Sequence, residues 1–211
     1  MKIILLRHGE SVDDVLNCYG GAADFDLSEN GRETARKVAE LYREKGVEMI
    51  YSSPLKRAAQ TAQIIDGVIR CGVKAAPNLY ERNSYGVMTG INKDECRNIF
   101  AYMFEQMNGK VGDYYSEFSV MGAEPVAEFD ERVKNGMAET VDDAEANGYN
   151  SIIVVTHGNV LKSIFKNLLE MHGEAELDLL AVAELAFDDG AFVLDGSRGI
   201  SISSSRLSAH K

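Results

Sequence analysis

The run Ser151-Ile152-Ile153-Val154-Val155-Thr156 constrains the fold more than any other stretch, because its middle residues are all aliphatic and β-branched. A strand of that kind has no polar face to offer water. Both faces must be covered, as in a parallel sheet between two layers of helices. The rest of the chain follows the same pattern, with short apolar runs at residues 2–6, 48–52 and 73–76 alternating with longer stretches of helical period. Ser28 caps a helix with Ala35, Val38, Ala39 and Tyr42 facing inward and Gly46 at its end. Ser53-Pro54 reads as the capping hydroxyl and first-turn proline of a second helix that buries Leu55, Ala58, Ala59, Ala62 and Ile65.

Further helices are expected over residues 92–108, 125–146 and 159–169, with a loop at 109–123. Strands at 182–187 and 191–194 form a hairpin across Asp188-Asp189-Gly190, and the serine-rich tail from Ser201 reads as frayed. The expected fold is therefore α/β: a three-layer α/β/α domain over residues 1–211 with a mostly parallel central sheet and a helical insertion at about 92–146. Phe100, Tyr102, Met103, Phe104, Met107, Tyr114, Tyr115, Phe118 and Met121 crowd that insertion. They suit a lid over a site, a surface pairing copies into a homo-oligomer, or ordinary packing on the core.

Composition narrows the function. The chain is 45% hydrophobic and 26% charged over 211 residues, enough for a proper core. Its net charge of -11 repels a phosphate backbone, so no nucleic acid is expected as partner and any anionic ligand must find a local cationic pocket. No apolar run approaches the roughly 20 residues of a membrane helix. Met1 to Leu6 meets Arg7-His8 too soon for a signal peptide, so no membrane association is expected and the location reads as cytoplasmic. Cys18, Cys71 and Cys96 are odd in number and form no Cys-x-x-Cys pair, and no His-x-His or His-x-x-x-His pair occurs. Neither a disulfide framework nor a metal site is indicated.

In an open parallel sheet the loops leaving the carboxyl ends of the strands converge on one edge. Those loops carry Arg7-His8-Gly9-Glu10, then Ser53 and Arg57, then Glu81-Arg82, then Thr156-His157-Gly158-Asn159. Two histidines, arginines and a glutamate thus arrive together from separate segments. Gly9 and Gly158 follow their histidines, where a missing side chain lets backbone approach a ligand. His172 and His210 belong to no such group and read as surface residues.

These residues carry a resemblance. Leu6-Arg7-His8-Gly9-Glu10-Ser11, Leu27-Ser28 with Gly31 and Ala35, Ser52 with Leu55, Arg57-Ala58 and Gln60-Thr61-Ala62, the stretch from Glu81 to Gly90, and Thr156-His157-Gly158 are similar, in order, to the motifs of the histidine phosphatase superfamily, phosphoglycerate mutase-like branch. The resemblance spans roughly residues 2–170. It implies that His8 attacks phosphorus and becomes phosphorylated, that Arg7, Arg57 and His157 hold the phosphoryl oxygens, and that Glu81 donates the proton. It also places polar phosphate contacts on the loop after His8, at Ser11 and Asn17.

Phosphoryl transfer develops charge that fixed cations and N–H donors stabilise, and neighbouring arginines favour an unprotonated, attacking His8. Gly158, Asn159, Tyr85 and Lys93 complete the expected substrate contacts. The expected activity is hydrolysis of a phosphomonoester on a small phosphorylated metabolite, without cofactor. The loop from Glu81 to Lys93 looks more like the mutase version, yet Arg97 and Arg132 stand alone where a mutase carries a paired grip for a second anion. Mutase-type transfer is the alternative, and a non-catalytic phosphate-binding module the third reading.

Overall fold

Six strands form one sheet in the order β3-β2-β4-β1-β5-β6. The computed structural model describes residues 1–106, 111–115 and 119–203. β1 (Lys2–Arg7) and β4 (Ser151–Thr156) lie side by side at the centre, parallel and in register from Lys2 opposite Ser151 to Arg7 opposite Thr156. β2 (Met49–Ser52) pairs with β4 and with β3 (Val73–Ala75), also in parallel. β5 (Glu174–Asp188) runs antiparallel to β1, and β6 (Ala191–Ser203) closes that side as a hairpin.

The alternation of side chains along a strand divides the core in two. Ile3, Leu5, Ile152 and Val154 meet α6 (Val126–Ala146) through Phe129, Val133 and Met137, and α7 (Gly158–Asn167) through Leu161 and Ile164. On the opposite face Ile4, Leu6, Ile153 and Val155 meet Ala39 and Tyr42, at and just beyond the end of α2 (Glu29–Glu40), and Ala58, Ala62 and Ile65 of α3 (Lys56–Ile69). Each such aliphatic side chain is worth roughly 1.5–3 kcal/mol when fully buried. The double coverage of residues 151–156 is what the sequence demands.

A third, smaller apolar group of Tyr19, Met88, Cys96 and Val120 lies apart from the sheet, with Tyr85, Phe100 and Phe104 against it. It gathers the loop beyond the short α1 (Val12–Val15), the 3-10 turn Gly86–Met88, α4 (Lys93–Ile99) and α5 (Ala101–Gln106). The insertion expected over residues 92–146 therefore divides: its first part builds this group, while α6 is a wall of the main core.

Several expectations are corrected. The helix expected over 92–108 breaks at Phe100, which leaves helical geometry at φ −113 and ψ 28; its last residues, like 109, 110 and 116–118 of the expected loop, lie outside the described residues. α2 stops at Glu40, six residues before Gly46, as Leu41 and Tyr42 tighten onto carbonyls three residues back. Ser53-Pro54 does not open α3. Leu55 is the capping position and Asp24 satisfies the Lys56 N–H instead, at 2.7 Å. The final hairpin is much longer than expected, and Ser201 to Ser203 pair with Glu174 to Glu176 rather than fray. His172 is exposed, and His210 lies outside the described residues. Among the described residues no helix is long and apolar enough to cross a membrane.

Candidate active site

The register of β1 on β4 sets the site. Arg7 and Thr156 are partners across the ladder, so the residues that follow, His8 and His157, leave the sheet together, and their rings lie 5.1 Å apart, tilted by 58°. The His8 N–H continues the ladder to the Thr156 carbonyl at 2.9 Å. Gly9 also has a packing reason: a Cβ there would lie 3.0 Å from the Gly31 carbonyl oxygen, and one on Gly31 would overlap the Glu10 carbonyl at 2.0 Å. These glycines let α2 cross the loop behind His8. A Cβ on Gly158, in contrast, would project toward Arg7 Nε at 3.7 Å and Glu81 Oε2 at 3.9 Å.

His8 is buried, and its Nδ1 lies 2.7 Å from the Gly9 carbonyl oxygen. A carbonyl only accepts, so Nδ1 carries the hydrogen and Nε2 carries the lone pair. Arg57 confirms the assignment by donating its Nε–H to that Nε2 at 3.1 Å. Burial holds the imidazole well below its ordinary pKa of 6.5, with the Arg57 and Arg7 charges adding to the effect. Burial thus outranks the arginines, which the sequence reading made the principal cause.

The two arginines differ in how their donors are used. Arg57 is buried and tied to His8, to the Ala23 carbonyl at 2.6 Å and to the Gly21 carbonyl at 2.7 Å. Arg7 donates Nη1 to the Leu177 carbonyl on β5, while its buried Nε has no partner among the described residues. Much of Arg57 therefore braces the loop at residues 21–23, and Arg7 holds the free donor.

Glu81 is buried, and burial raises its carboxyl pKa against the opposing pull of Arg57, two backbone N–H groups and Arg7. Its Oε1 accepts the Arg82 N–H at 2.9 Å and its Oε2 the Asn159 N–H at 3.2 Å. His157 is fully buried; burial, then Arg57, His8 and Arg7 keep it well below 6.5. Its Nε2 lies 2.7 Å from Ser53 Oγ, and its Nδ1 has no partner among the described residues.

The softer candidates fare unevenly. Ser11 is buried with its hydroxyl held by Asp13 at 2.5 Å, which fixes the loop and leaves no free proton for a phosphate. Asn17 is an exposed turn residue at φ 53 whose carbonyl receives the Lys93 N–H. The Asn159 side chain donates to Ser84 at 3.2 Å and does not cap its helix. Tyr85 stacks on Tyr19 at 4.5 Å, and burial together with the Glu81 charge pushes its phenol up to about 12. The Lys93 ammonium lies over the Tyr19 ring at 5.8 Å. Of the isolated arginines, Arg97 is exposed beside Asp94, and Arg132 is bound to Glu124 through two donors at 2.9 Å each.

Two residues that the sequence places at this edge were given no role in the site. Arg82 is buried behind Glu81 and donates to the Glu124 carbonyl at 2.9 Å. Ser53 was read as a cap, because a serine before a proline carries that signal so strongly.

Known proteins resemble the chain over most of its length. The family model described as "Histidine phosphatase superfamily (branch 1)" matches residues 3–198. A protein of Bifidobacterium longum (strain DJO10A) named 2,3-bisphosphoglycerate-dependent phosphoglycerate mutase is 30% identical over 190 residues, covering 79% of this chain and 76% of its own. Among solved structures, a phosphoglycerate mutase from Bacillus anthracis str. Sterne aligns with a TM-score of 0.78 at 20% identity, over 92% of this chain and 91% of that one. The alpha-ribazole phosphatase from Shigella flexneri aligns with a TM-score of 0.75 at 21% identity, over 92% and 94%. Both show the same fold.

Proposed function

Because the chain belongs to branch 1 of the histidine phosphatase superfamily, we propose that it hydrolyses a phosphomonoester on a small phosphorylated metabolite through a phosphohistidine at His8. The observation that carries this reading is the pairing of a bare nitrogen with a buried acid. His8 Nε2 holds its lone pair toward the site while burial favours the protonated form of Glu81.

In the first step the Nε2 lone pair attacks phosphorus and the bond from phosphorus to the ester oxygen breaks. Glu81 gives its proton to the departing oxygen, so an alcohol leaves instead of an alkoxide. The ring keeps its Nδ1–H on the Gly9 carbonyl, which steadies the positive charge of the phosphorylated imidazole. The Arg57 Nε–H that rests on the lone pair moves to a phosphoryl oxygen, and the unpartnered Arg7 Nε–H binds another. In the second step water attacks phosphorus and passes a proton to the Glu81 carboxylate. The phosphorus–nitrogen bond breaks, its electron pair returns to Nε2, and both groups regain their starting state.

Mutase-type transfer is the second reading, favoured by the name of the Bifidobacterium relative and by the Glu81 to Lys93 loop. A mutase must anchor both ends of its substrate long enough for the phosphoryl group to be handed back. Arg132 is held by Glu124 and Arg97 stands exposed beside Asp94, so neither is part of a paired second grip, which favours water as the acceptor. A panel of phosphomonoesters assayed for phosphate release, with phosphoglycerate isomerisation measured in parallel, tests the choice. Hydrolysis predicts release at rates well above isomerisation; isomerisation without release would overturn it.

A further inference from the structure

We propose that Ser53 is a positioning residue: its hydroxyl fixes the tautomer of His157 so that the ring presents an N–H, and not a lone pair, to the bound phosphoryl group. The inference rests on the phosphoryl-transfer reading above, and it starts from the accounting of one proton. Ser53 Oγ receives the Leu55 N–H at 3.3 Å. Its own proton has, among the described residues, one acceptor within reach, His157 Nε2 at 2.7 Å. Were Nε2 to donate to Oγ, the hydroxyl proton would be left without an acceptor among the described residues, so Nε2 is assigned as the acceptor and the ring hydrogen to Nδ1.

The Nδ1 position supplies the second observation. It is buried and has no partner among the described residues, a condition that is costly unless something completes it. The ring that carries it lies 5.1 Å from that of His8. Arg7 Nε, the other orphaned donor of the site, lies beside Gly158, the next residue after His157. An anion on His8 would satisfy both at once.

The device matters because burial, with the Arg57 charge, favours the neutral form of His157. A neutral imidazole donates from one nitrogen only. The wrong tautomer would turn a lone pair toward the phosphoryl oxygens and repel them. The two histidines therefore hold the same tautomer by opposite means. His8 gives Nδ1–H to a carbonyl and keeps a lone pair for attack, while His157 takes a hydroxyl proton at Nε2 and keeps an N–H for the substrate.

Nitrogen-15 NMR of the intact wild-type protein tests this directly, with the His157 signals assigned by loss in His157→Gln. The expected spectrum shows a neutral ring protonated at Nδ1, with that N–H shifting when vanadate binds. A ring protonated at Nε2 would overturn the proposal. In Ser53→Ala the expected outcome is a mixture of tautomers, with kcat/KM down about 10- to 100-fold and vanadate affinity falling in parallel. Ser53→Thr, which keeps the hydroxyl, should restore the Nδ1–H tautomer and most of the activity. Wild-type activity and a single tautomer in Ser53→Ala would overturn the proposal. If the wild-type protein turns over no phosphomonoester, the hydrolase reading falls, and the tautomer and its response to vanadate still judge Ser53 separately.

Discussion

The floor of the site and the cap beside it are built on opposite plans. The floor comes from strand ends locked by a parallel ladder, and His8, Arg57, Glu81 and His157 are all buried there with assigned partners. The cap, around Tyr19, Tyr85, Met88 and Val120, has its own small core, and apolar side chains at its margin face solvent: Val87 is 47% exposed, Tyr102 75% and Met121 76%. A buried floor tied to the sheet by backbone and side-chain hydrogen bonds can hold reacting atoms to within a fraction of an ångström, as charge stabilisation in the transition state requires. A loosely covered cap can vary without disturbing them. On the proposed reading, chemistry belongs to the first region and substrate choice to the second.

The largest expected effect probes the floor. Glu81→Gln should lower turnover of alkyl phosphates by about 10²- to 10⁴-fold and that of nitrophenyl phosphate, whose leaving group needs no proton, far less. Equal losses in steady-state assays would remove Glu81 from the role of acid.

The floor should also make the protein sensitive to acid. His8 and His157 have folded pKa values below 6.5, so the unfolded chain binds more protons than the folded one beneath that pH. Their contribution to stability is complete above about 6.5 and is lost as pH falls, at about 1.4 kcal/mol per pH unit for each proton. Glu81 acts with the opposite sign: its raised folded value adds stability below 4.5 that fades as pH rises through that folded value. Urea denaturation between pH 7 and 5 should show the slope, and His157→Gln should reduce it by about one proton. An unchanged slope would mean that His157 is not held neutral by the fold.

Gly112→Ala strikes the cap alone. Its φ of 71 disfavours a side chain, and a Cβ would meet the Tyr85 ring at 2.2 Å. About 1–3 kcal/mol of local strain is expected, with KM raised for bulky substrates and kcat for nitrophenyl phosphate within about 2-fold of wild type. A fall in kcat as deep as that of Glu81→Gln would erase the division between the regions. Tyr102→Ser should do least, less than about 0.5 kcal/mol in thermal unfolding. A larger, concentration-dependent loss would show that another copy of the chain covers this face.

Legibility in the sequence followed the same division. The apolar run at residues 151–156 and the periodicity of residues 35–42 and 55–65 fixed the sheet and its helices, because burial on two faces leaves few alternatives. The candidate catalytic side chains lay at strand ends, which are predictable once the strands are. What stayed hidden depends on tertiary partners. Ser53 reads as a cap unless His157 is known to lie beside it, and the second task of Arg57, bracing the loop at residues 21–23, appears only once the carbonyls of Gly21 and Ala23 are seen to accept from it. The break at Phe100 and the first half of β5 were hidden as well: one depends on a satellite core far from the sheet, the other on pairing with a polar strand.

Incubation with a radiolabelled phosphomonoester followed by rapid quenching tests the central claim most directly. The account predicts an acid-labile, alkali-stable label that maps to His8 and is missing from His8→Ala, which should still bind vanadate. Full turnover with no label, or with the label on another residue, would contradict it.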